Sequence, residues 1–345
     1  MSRFELVCRP FTLELRNRFQ LANSTRTTTP TLLVELHGEG IVGYGEAAMP
    51  PYLGETHATA QAFLTRVDLA WLAQPFDRRT ALHRIDALAP RNHAAKAAID
   101  IALHDWLGKK LGQPHWRLCG LDPKTTPTTS FTLAIDTPDK LRERAAEAAK
   151  TYRALKIKLG SEHDRAMITA IRAGAGSDCT LRVDVNQGWR DRDHAAREIE
   201  WLAQRGVELV EQPMPKEACD DTAWLQERSP VPLIADEAVQ RLSDVAAARG
   251  IYAGINIKLM KCTGLHEAYD MLVTARALGL KVMLGCMTES SCGIAAAAQL
   301  ASLCDFADLD GAHLVRNDPF EPLPFVDGCV LPTERPGIGV TPRAS

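Results

Sequence analysis

Apolar and polar residues alternate from the start of the chain. Phe4, Leu6 and Cys8, then Phe11, Leu13 and Leu15, fall on one face with the two-residue period of a half-buried strand. A second alternating run over 31–36 reaches His37-Gly38-Glu39-Gly40 and returns over 41–47, which predicts a meander closed by a hairpin. Across 55–112 the spacing becomes helical. It is clearest in Ala94-Ala95-Lys96-Ala97-Ala98-Ile99-Asp100-Ile101-Ala102-Leu103, a helix expected to continue to Leu107 and stop near Gly112. Strands followed by helices describe a small α+β domain.

Beyond Pro127, short apolar runs rich in β-branched residues recur at intervals of about 25 residues with helical stretches between them, the beat of repeated βα units. Strands are predicted near 131 and over 155–158, 181–185, 208–211, 233–236, 255–259, 282–285 and 306–309. Parallel strands alternating with helices, with no long polar linker, favour a closed barrel over an open doubly wound sheet. A tail rich in proline and glycine, from Leu314 onward, is expected to pack back on the first domain. The predicted division is a lid over 1–125, a barrel over 126–313 and the tail over 314–345.

Composition narrows the classes. Of 345 residues 46% are hydrophobic and 24% charged, and 40 basic against 43 acidic side chains leave a formal net charge of -3. A chain this long buries roughly 75% of its unfolded surface, so a large core needs no staple. The near balance supplies no basic field for nucleic acid, and no lysine-rich amphipathic stretch points to a membrane surface, so neither is an expected partner. The 9 cysteines are scattered without a C-x-x-C pair and read as reduced thiols. The amino terminus lacks an apolar signal core and no run of about 18 apolar residues occurs, so the expected compartment is the cytoplasm. Gly38-Glu39-Gly40-Ile41-Val42-Gly43 satisfies G-x-G-x-x-G, but a strand-like run follows it where a dinucleotide site needs a helix; a hairpin is the better reading.

Five ionisable residues stand where apolar barrel strands should end: Lys158, Asp184, Glu211, Asp236 and Lys258. Strand C-termini are where barrels of this kind build active sites, and charges there are costly unless paired or bound to metal. Salt bridges that merely close the barrel mouth are the competing reading. Asp184, Glu211 and Asp236 come from three consecutive strands and offer hard oxygens without histidine or thiolate, a set that suits Mg²⁺ better than zinc. Such an ion can hold a carboxylate and stabilise the dianion formed when the adjacent carbon loses a proton.

Lys156 and Lys158 share a face, and the strand of Lys258 lies four strands on, so Lys158 and Lys258 should face each other across the barrel. An ordinary lysine titrates at ~10.4, too high for a base at neutral pH; Lys156, Lys261 and the metal are expected to bring the pair down toward ~7 to 8. Two bases on opposite faces of one α-carbon permit removal of a proton from one side and its return from the other, as a racemase or epimerase requires.

The series Lys156-Ile157-Lys158, Asp184-Val185-Asn186, Glu211-Gln212-Pro213, Ala235-Asp236-Glu237 and Asn256-Ile257-Lys258-Leu259-Met260-Lys261 resembles the enolase superfamily, in its muconate-lactonizing-enzyme subgroup. Gly43-Tyr44-Gly45-Glu46-Ala47 and Ala98-Ile99-Asp100-Ile101-Ala102-Leu103 extend the likeness over nearly the whole chain. The resemblance implies a (β/α)7β TIM-like barrel under an α+β capping domain built from the amino-terminal region and the carboxyl-terminal tail. It implies one Mg²⁺ held by Asp184, Glu211 and Asp236, with Lys158 and Lys258 as acid/base catalysts and an enediolate as intermediate. Lys156 and Lys261 become electrostatic neighbours. Barrels of this superfamily are often homo-oligomers.

Reactions in the subgroup differ, so substrate choice rests on other residues. Asp308-Leu309-Asp310-Gly311 on the last strand resembles dipeptide epimerases, where such a pair binds the substrate's α-ammonium; Leu259-Met260-Lys261 points the same way. An ordinary turn at the barrel end is the alternative. In the lid loop over 21–30, Arg26 is the implied partner of a distal carboxylate, against an exposed arginine without a ligand. Tyr52 and Leu53 should shape the pocket from the lid, and Met287 and Thr288 should line it after the seventh strand. The expected activity is Mg²⁺-dependent epimerisation of a dipeptide at the α-carbon of its second residue, with L-Ala-D/L-Glu as first substrate. A cycloisomerase, an o-succinylbenzoate synthase and a non-catalytic ligand-binding barrel are the alternatives.

Overall fold

The computed structural model describes residues 4–21, 24–72 and 74–344. Strands β1 (Glu5–Leu21), β2 (Ser24–Gly38) and β3 (Ile41–Ala48) form an antiparallel sheet in chain order. Gly38 pairs with Ile41, and Glu39 and Gly40 between them have φ of 51° and 74°. Both central residues are left-handed, the tight turn that matches right-twisted strands, so the glycine-rich motif is a hairpin.

The sheet corrects the expectation of a loop over 21–30. Leu21 pairs with Ser24 and Phe19 with Arg26, so the hairpin runs to its tip; Ala22 and Asn23 lie outside the described residues. Thr25, Thr27, Thr28 and Thr29 supply β-branched side chains that favour extended pairing where apolar alternation gives no signal. The register shifts once, between Glu14 and Phe19.

Helices α1 (His57–Leu64), α2 (Arg78–Ala87), α3 (His93–Leu111) and α4 (His115–Leu118) complete the lid. α3 ends at Gly112, as its sequence predicts, and lies flat on β3. A side-chain carbon at Gly43 would sit 2.1 Å from the Ala102 carbonyl, and one at Gly45 1.9 Å from that of Ala98. Glycines facing an alanine-rich helix are the condition for this close approach.

Strands and helices then alternate: β4 (Ser130–Leu133), α5 (Pro138–Ala148), β5 (Ala154–Lys158), α6 (Asp164–Ala175), β6 (Thr180–Asp184), α7 (Arg192–Ala203), β7 (Val207–Glu211) and α8 (Cys219–Arg228). β8 (Leu233–Ala235), α9 (Leu242–Ala248), β9 (Gly254–Lys258), α10 (Leu265–Ala277), β10 (Lys281–Gly285), α11 (Ser291–Ala298) and β11 (Phe306–Asp308) follow. Each of these strands runs parallel to the next, and a parallel bridge from Thr129 to Ala307 closes the ring. The result is a (β/α)7β barrel.

Two-residue periodicity stacks inward-facing side chains in layers. Leu209, Ile234, Met283 and Phe306 form a separate apolar cluster, two positions below Glu211, Asp236, Gly285 and Asp308 respectively. They are the floor on which the polar mouth stands.

The tail returns over the lid: Val315 bridges Leu15, Gly337 bridges Pro114, and β12 (Phe325–Val326) pairs with β13 (Cys329–Val330). Three buried lid carboxylates fasten the parts together. Glu46 accepts from the backbone nitrogens of Ser290 and Gly293 at the start of α11, both at 3.0 Å. Asp100 accepts from Leu265 N at 2.6 Å and His266 N at 3.3 Å at the start of α10. Asp105 accepts from Ile338 N in the tail and Tyr44 N in β3, both at 2.8 Å. The first N–H groups of a helix lack partners within it, so the first two carboxylates satisfy orphan donors and a favourable dipole together. Among the described residues no helix is long and apolar enough to cross a membrane.

Candidate active site

The five charges predicted at strand ends converge at one end of the barrel. Asp184, Glu211 and Asp236 each present a carboxylate oxygen, and these oxygens lie within 4.8 Å of one another. All three residues are buried. Lysines enclose them: Lys158 Nζ donates to Asp184 at 2.6 Å, while Lys258 Nζ donates to Asp236 at 2.7 Å from the other side of the ring. Lys156, one layer down, lies 2.6 Å from Glu211, 2.8 Å from Asp308 and 3.2 Å from Asp184. Lys261 is tied to the Asp236 carboxylate at 2.6 Å and to the carbonyls of Asp236, Val239 and Asn256.

Electrostatics follow from this packing. Burial works to raise the Asp236 carboxyl, but Lys258 and Lys261 outweigh it and hold it well below the usual carboxylate range. Glu211 goes the other way, pushed up to about 8 by burial and then by Asp184. Burial works to lower Lys258, yet Asp236 and then Tyr52 outweigh it and leave it well above an ordinary lysine. Lys156 and Lys261 do not by themselves bring Lys258 down, and the rest of the expected depression lies with the metal ion. Lys156 and Lys261 arrive with acids already attached, so their charge is spent locally.

The donor set fits a divalent ion. It is all carboxylate, and Glu211 Oε2 is buried without a hydrogen bond, although Lys156 lies close by. Hard oxygens without nitrogen or sulfur select that class of cation.

Above the ring lies a cavity of about 550 Å³. Lys158, Lys258, Asp236, Asp308, Asp310 and Lys156 reach its floor, whereas Asp184 and Glu211 do not line it. Arg26, Tyr52, Met287 and Thr288 wall its mouth, whereas Leu53, also expected to shape it, is not among the lining residues. Asp308 is answered by Lys156 and by Ser130 Oγ at 2.7 Å, which holds it below the usual range despite burial. Asp310 accepts from Thr132 N at 2.6 Å, and burial followed by Asp308 pushes it up to about 7. Among the described residues no basic side chain pairs with it.

Arg26 is half-buried, not an exposed side chain. Its guanidinium donates to Thr288 Oγ1 at 2.9 Å and rests over the Phe19 ring at 5.1 Å, while Nε is buried without a partner. Among the described residues it has no carboxylate to pair with. Tyr52 is 53% exposed as a residue, but its hydroxyl turns inward and donates to Met287 Sδ at 2.8 Å.

Sequence reasoning missed Phe19, Asn186, Gln187, Lys216, Glu237 and Gln240, which also line the cavity. Asn186 and Glu237 stand inside quoted motifs beside metal-ligand candidates, which was a usable signal. They hydrogen-bond each other at 3.3 Å and leave Asn186 Oδ1 and Glu237 Oε2 unpartnered. Asn186 and Gln187 turn out of strand geometry with φ of 47° and 66°, and no sequence pattern foretells that. Lys216 and Gln240 carry no signal at all.

Residues 4–120 match the mandelate racemase / muconate lactonizing enzyme N-terminal domain, and residues 140–345 match the enolase C-terminal domain-like model. The chain is 50% identical over 331 residues to the L-Ala-D/L-Glu epimerase of Bacteroides thetaiotaomicron, covering 96% of this chain and 86% of the relative. It is 40% identical over 319 residues to the L-Ala-D/L-amino acid epimerase of Pedosphaera parvula, covering 90% and 91%. Among solved structures, the dipeptide epimerase of Enterococcus faecalis V583 complexed with Mg and L-Leu-L-Tyr superposes with a TM-score of 0.90 at 32% identity, covering 99% of this chain and 100% of that one.

Proposed function

The chain belongs to the mandelate racemase / muconate lactonizing enzyme family of the enolase superfamily, and from that premise we propose that it is a Mg²⁺-dependent dipeptide epimerase. It inverts the α-carbon of the second residue, with L-Ala-L-Glu as first substrate. The observation that carries the reading is one cavity that stands over a carboxylate triad between two opposed lysines and is lined by an acid lacking a cation and an arginine lacking an anion. With a divalent ion held by the triad, these would complement the three charges of L-Ala-L-Glu: α-carboxylate, ammonium and distal carboxylate.

In this reading Asp184, Glu211 and Asp236 would hold the ion, which would supply positive charge beside the substrate's α-carboxylate as the α-proton leaves. Lys158 and Lys258 flank the α-carbon from opposite sides. A neutral lysine takes the α-proton, and the other, entering as ammonium, returns one to the opposite face, so the proton count balances. Lys156 offsets the carboxylates beneath. Asp308 and Asp310 hold the substrate ammonium, and Arg26 leaves Thr288 to take the distal carboxylate in its fork. Tyr52 and Met287 close the mouth against water. The lid over 1–125, the barrel over 126–313 and the tail over 314–345 act as one unit. Nine free thiols support a cytoplasmic setting.

The test is a dipeptide library incubated in deuterated water with Mg²⁺ and scored for deuterium at the second α-carbon. Incorporation is expected with L-Ala-L-Glu, lost on chelation and restored by Mg²⁺. No incorporation with any dipeptide would refute the assignment. Turnover of enolisable acids that lack an ammonium, in place of dipeptides, would convert it to a cycloisomerase or synthase.

A further inference from the structure

A second cavity of about 360 Å³ lies beside the reaction cavity, between β4, α5, the irregular segment of β1 and the turn after β11. Phe19, Thr132 and Leu314 line both cavities, so the two share a wall. Thr132 N is the donor to Asp310, which places that wall at the acid assigned to the substrate ammonium. In a dipeptide the ammonium nitrogen and the first side chain are borne by the same carbon. With the ammonium at Asp310, the first side chain therefore starts at the shared wall.

We infer that this cavity is the subsite for the side chain of the substrate's first residue and that it takes large apolar or aromatic groups; the inference rests on the dipeptide reading above. Its interior has that chemistry. The rings of Phe131 and Tyr152 stack with centroids 4.5 Å apart, and Leu15, Leu133 and Ala148 add aliphatic surface. Three of the polar side chains that line it already have partners. Tyr152 hydroxyl bonds His313 Nδ1 at 2.8 Å, Arg16 Nε donates to the His313 carbonyl at 3.1 Å, and Arg144 pairs with Asp136 at 3.2 Å. Asp136 neutralises Arg144, and Arg16 is an exposed residue whose charge is solvated. A methyl group fills little of this space, so alanine at the first position leaves it mostly unused.

The experiment compares kcat/KM for L-Ala-L-Glu, L-Leu-L-Glu and L-Phe-L-Glu in the parent and in two variants that fill the cavity from α5 and the turn after it, Ala148→Phe and Thr151→Phe. The parent is expected to epimerise the leucyl and phenylalanyl substrates within about tenfold of the alanyl one. In at least one folded variant the ratio of phenylalanyl to alanyl kcat/KM should fall tenfold or more. A parent that turns over L-Ala-L-Glu but rejects both large first residues overturns the inference. So does a ratio unchanged in both variants. Absence of turnover with all three substrates, the alanyl one included, is a different result: it overturns the epimerase reading and this inference with it.

Discussion

Replacing Asp310 by asparagine isolates the charge that the epimerase reading places under the substrate ammonium. Asparagine keeps the size and the acceptor for Thr132 N, a bond of 2.6 Å, so only the charge is removed. Asp310 is 3% exposed, and Asp308 beside it is already answered by Lys156 at 2.8 Å. A substrate ammonium there forms a buried pair, and truncating one side of such a pair costs about 2–4 kcal/mol. At ~1.4 kcal/mol per tenfold this is about a 30- to 700-fold loss in kcat/KM for L-Ala-L-Glu. N-Acetyl-L-Ala-L-Glu lacks the ammonium, and with it parent and Asp310→Asn should be equally slow within about twofold, read as α-proton exchange by NMR. The pH dependence carries its own sign. Burial and Asp308 raise the Asp310 carboxyl to about 7, so the neutral form is favoured below that value and the anion that attracts a cation appears as pH rises through it. The parental kcat/KM should therefore climb through about pH 7, and the variant should lose that limb. A variant with parental kcat/KM, or one that loses the same factor on the acetylated substrate, would show that Asp310 only shapes the turn.

Lys158→Ala and Lys258→Ala should each lose epimerisation by about 100- to 10,000-fold, with exchange of one epimer's α-proton in deuterated water surviving in one of them; parental epimerisation by either would end the two-base account. Arg26→Met should raise KM for L-Ala-L-Glu about 10- to 100-fold with kcat within about threefold, and should leave L-Ala-L-Leu little affected. Equal losses on both substrates would instead assign Arg26 to holding the hairpin tip against Thr288. Asp100→Ala strands Leu265 N and His266 N at the start of α10, a cost of about 2–3 kcal/mol that should lower Tm by roughly 3–4 °C in calorimetry; an unchanged Tm would show that water replaces the carboxylate freely.

The barrel and its polar mouth were legible because the same signal recurs. An apolar run that ends on a charge is unremarkable once, but Lys158, Asp184, Glu211, Asp236 and Lys258 repeat it on nearly consecutive strands. The lid hairpin was only half legible. Its apolar alternation fades at Leu15, whereas pairing continues to Leu21 and resumes at Ser24 through threonines whose backbone preference does not show in a hydrophobic pattern. The effect of the neighbouring cations on Lys258 was only partly legible for a related reason. Sequence spacing places cations near it but not the acids that those cations bring, and Lys261 is held by Asp236 through a turn that no periodicity describes. The second cavity, walled by residues from 15 to 314, exists only once the chain has folded.

The three lid carboxylates set the terms on which parts of this enzyme can be exchanged. Each meets a glycine across the boundary: a side-chain carbon at Gly264 would lie 2.3 Å from Asp100 Oδ1, one at Gly337 2.1 Å from Asp105 Oδ1, and one at Gly293 3.2 Å from Glu46 Oε2. A whole lid transplanted from a relative seats here only if it carries acids of matching reach at all three places and the barrel and tail keep their glycines. The hairpin tip from Phe19 to Arg26 holds none of these locks. It is the segment that can be traded as a cassette, which leaves substrate preference free to drift while the docking of lid on barrel stays fixed.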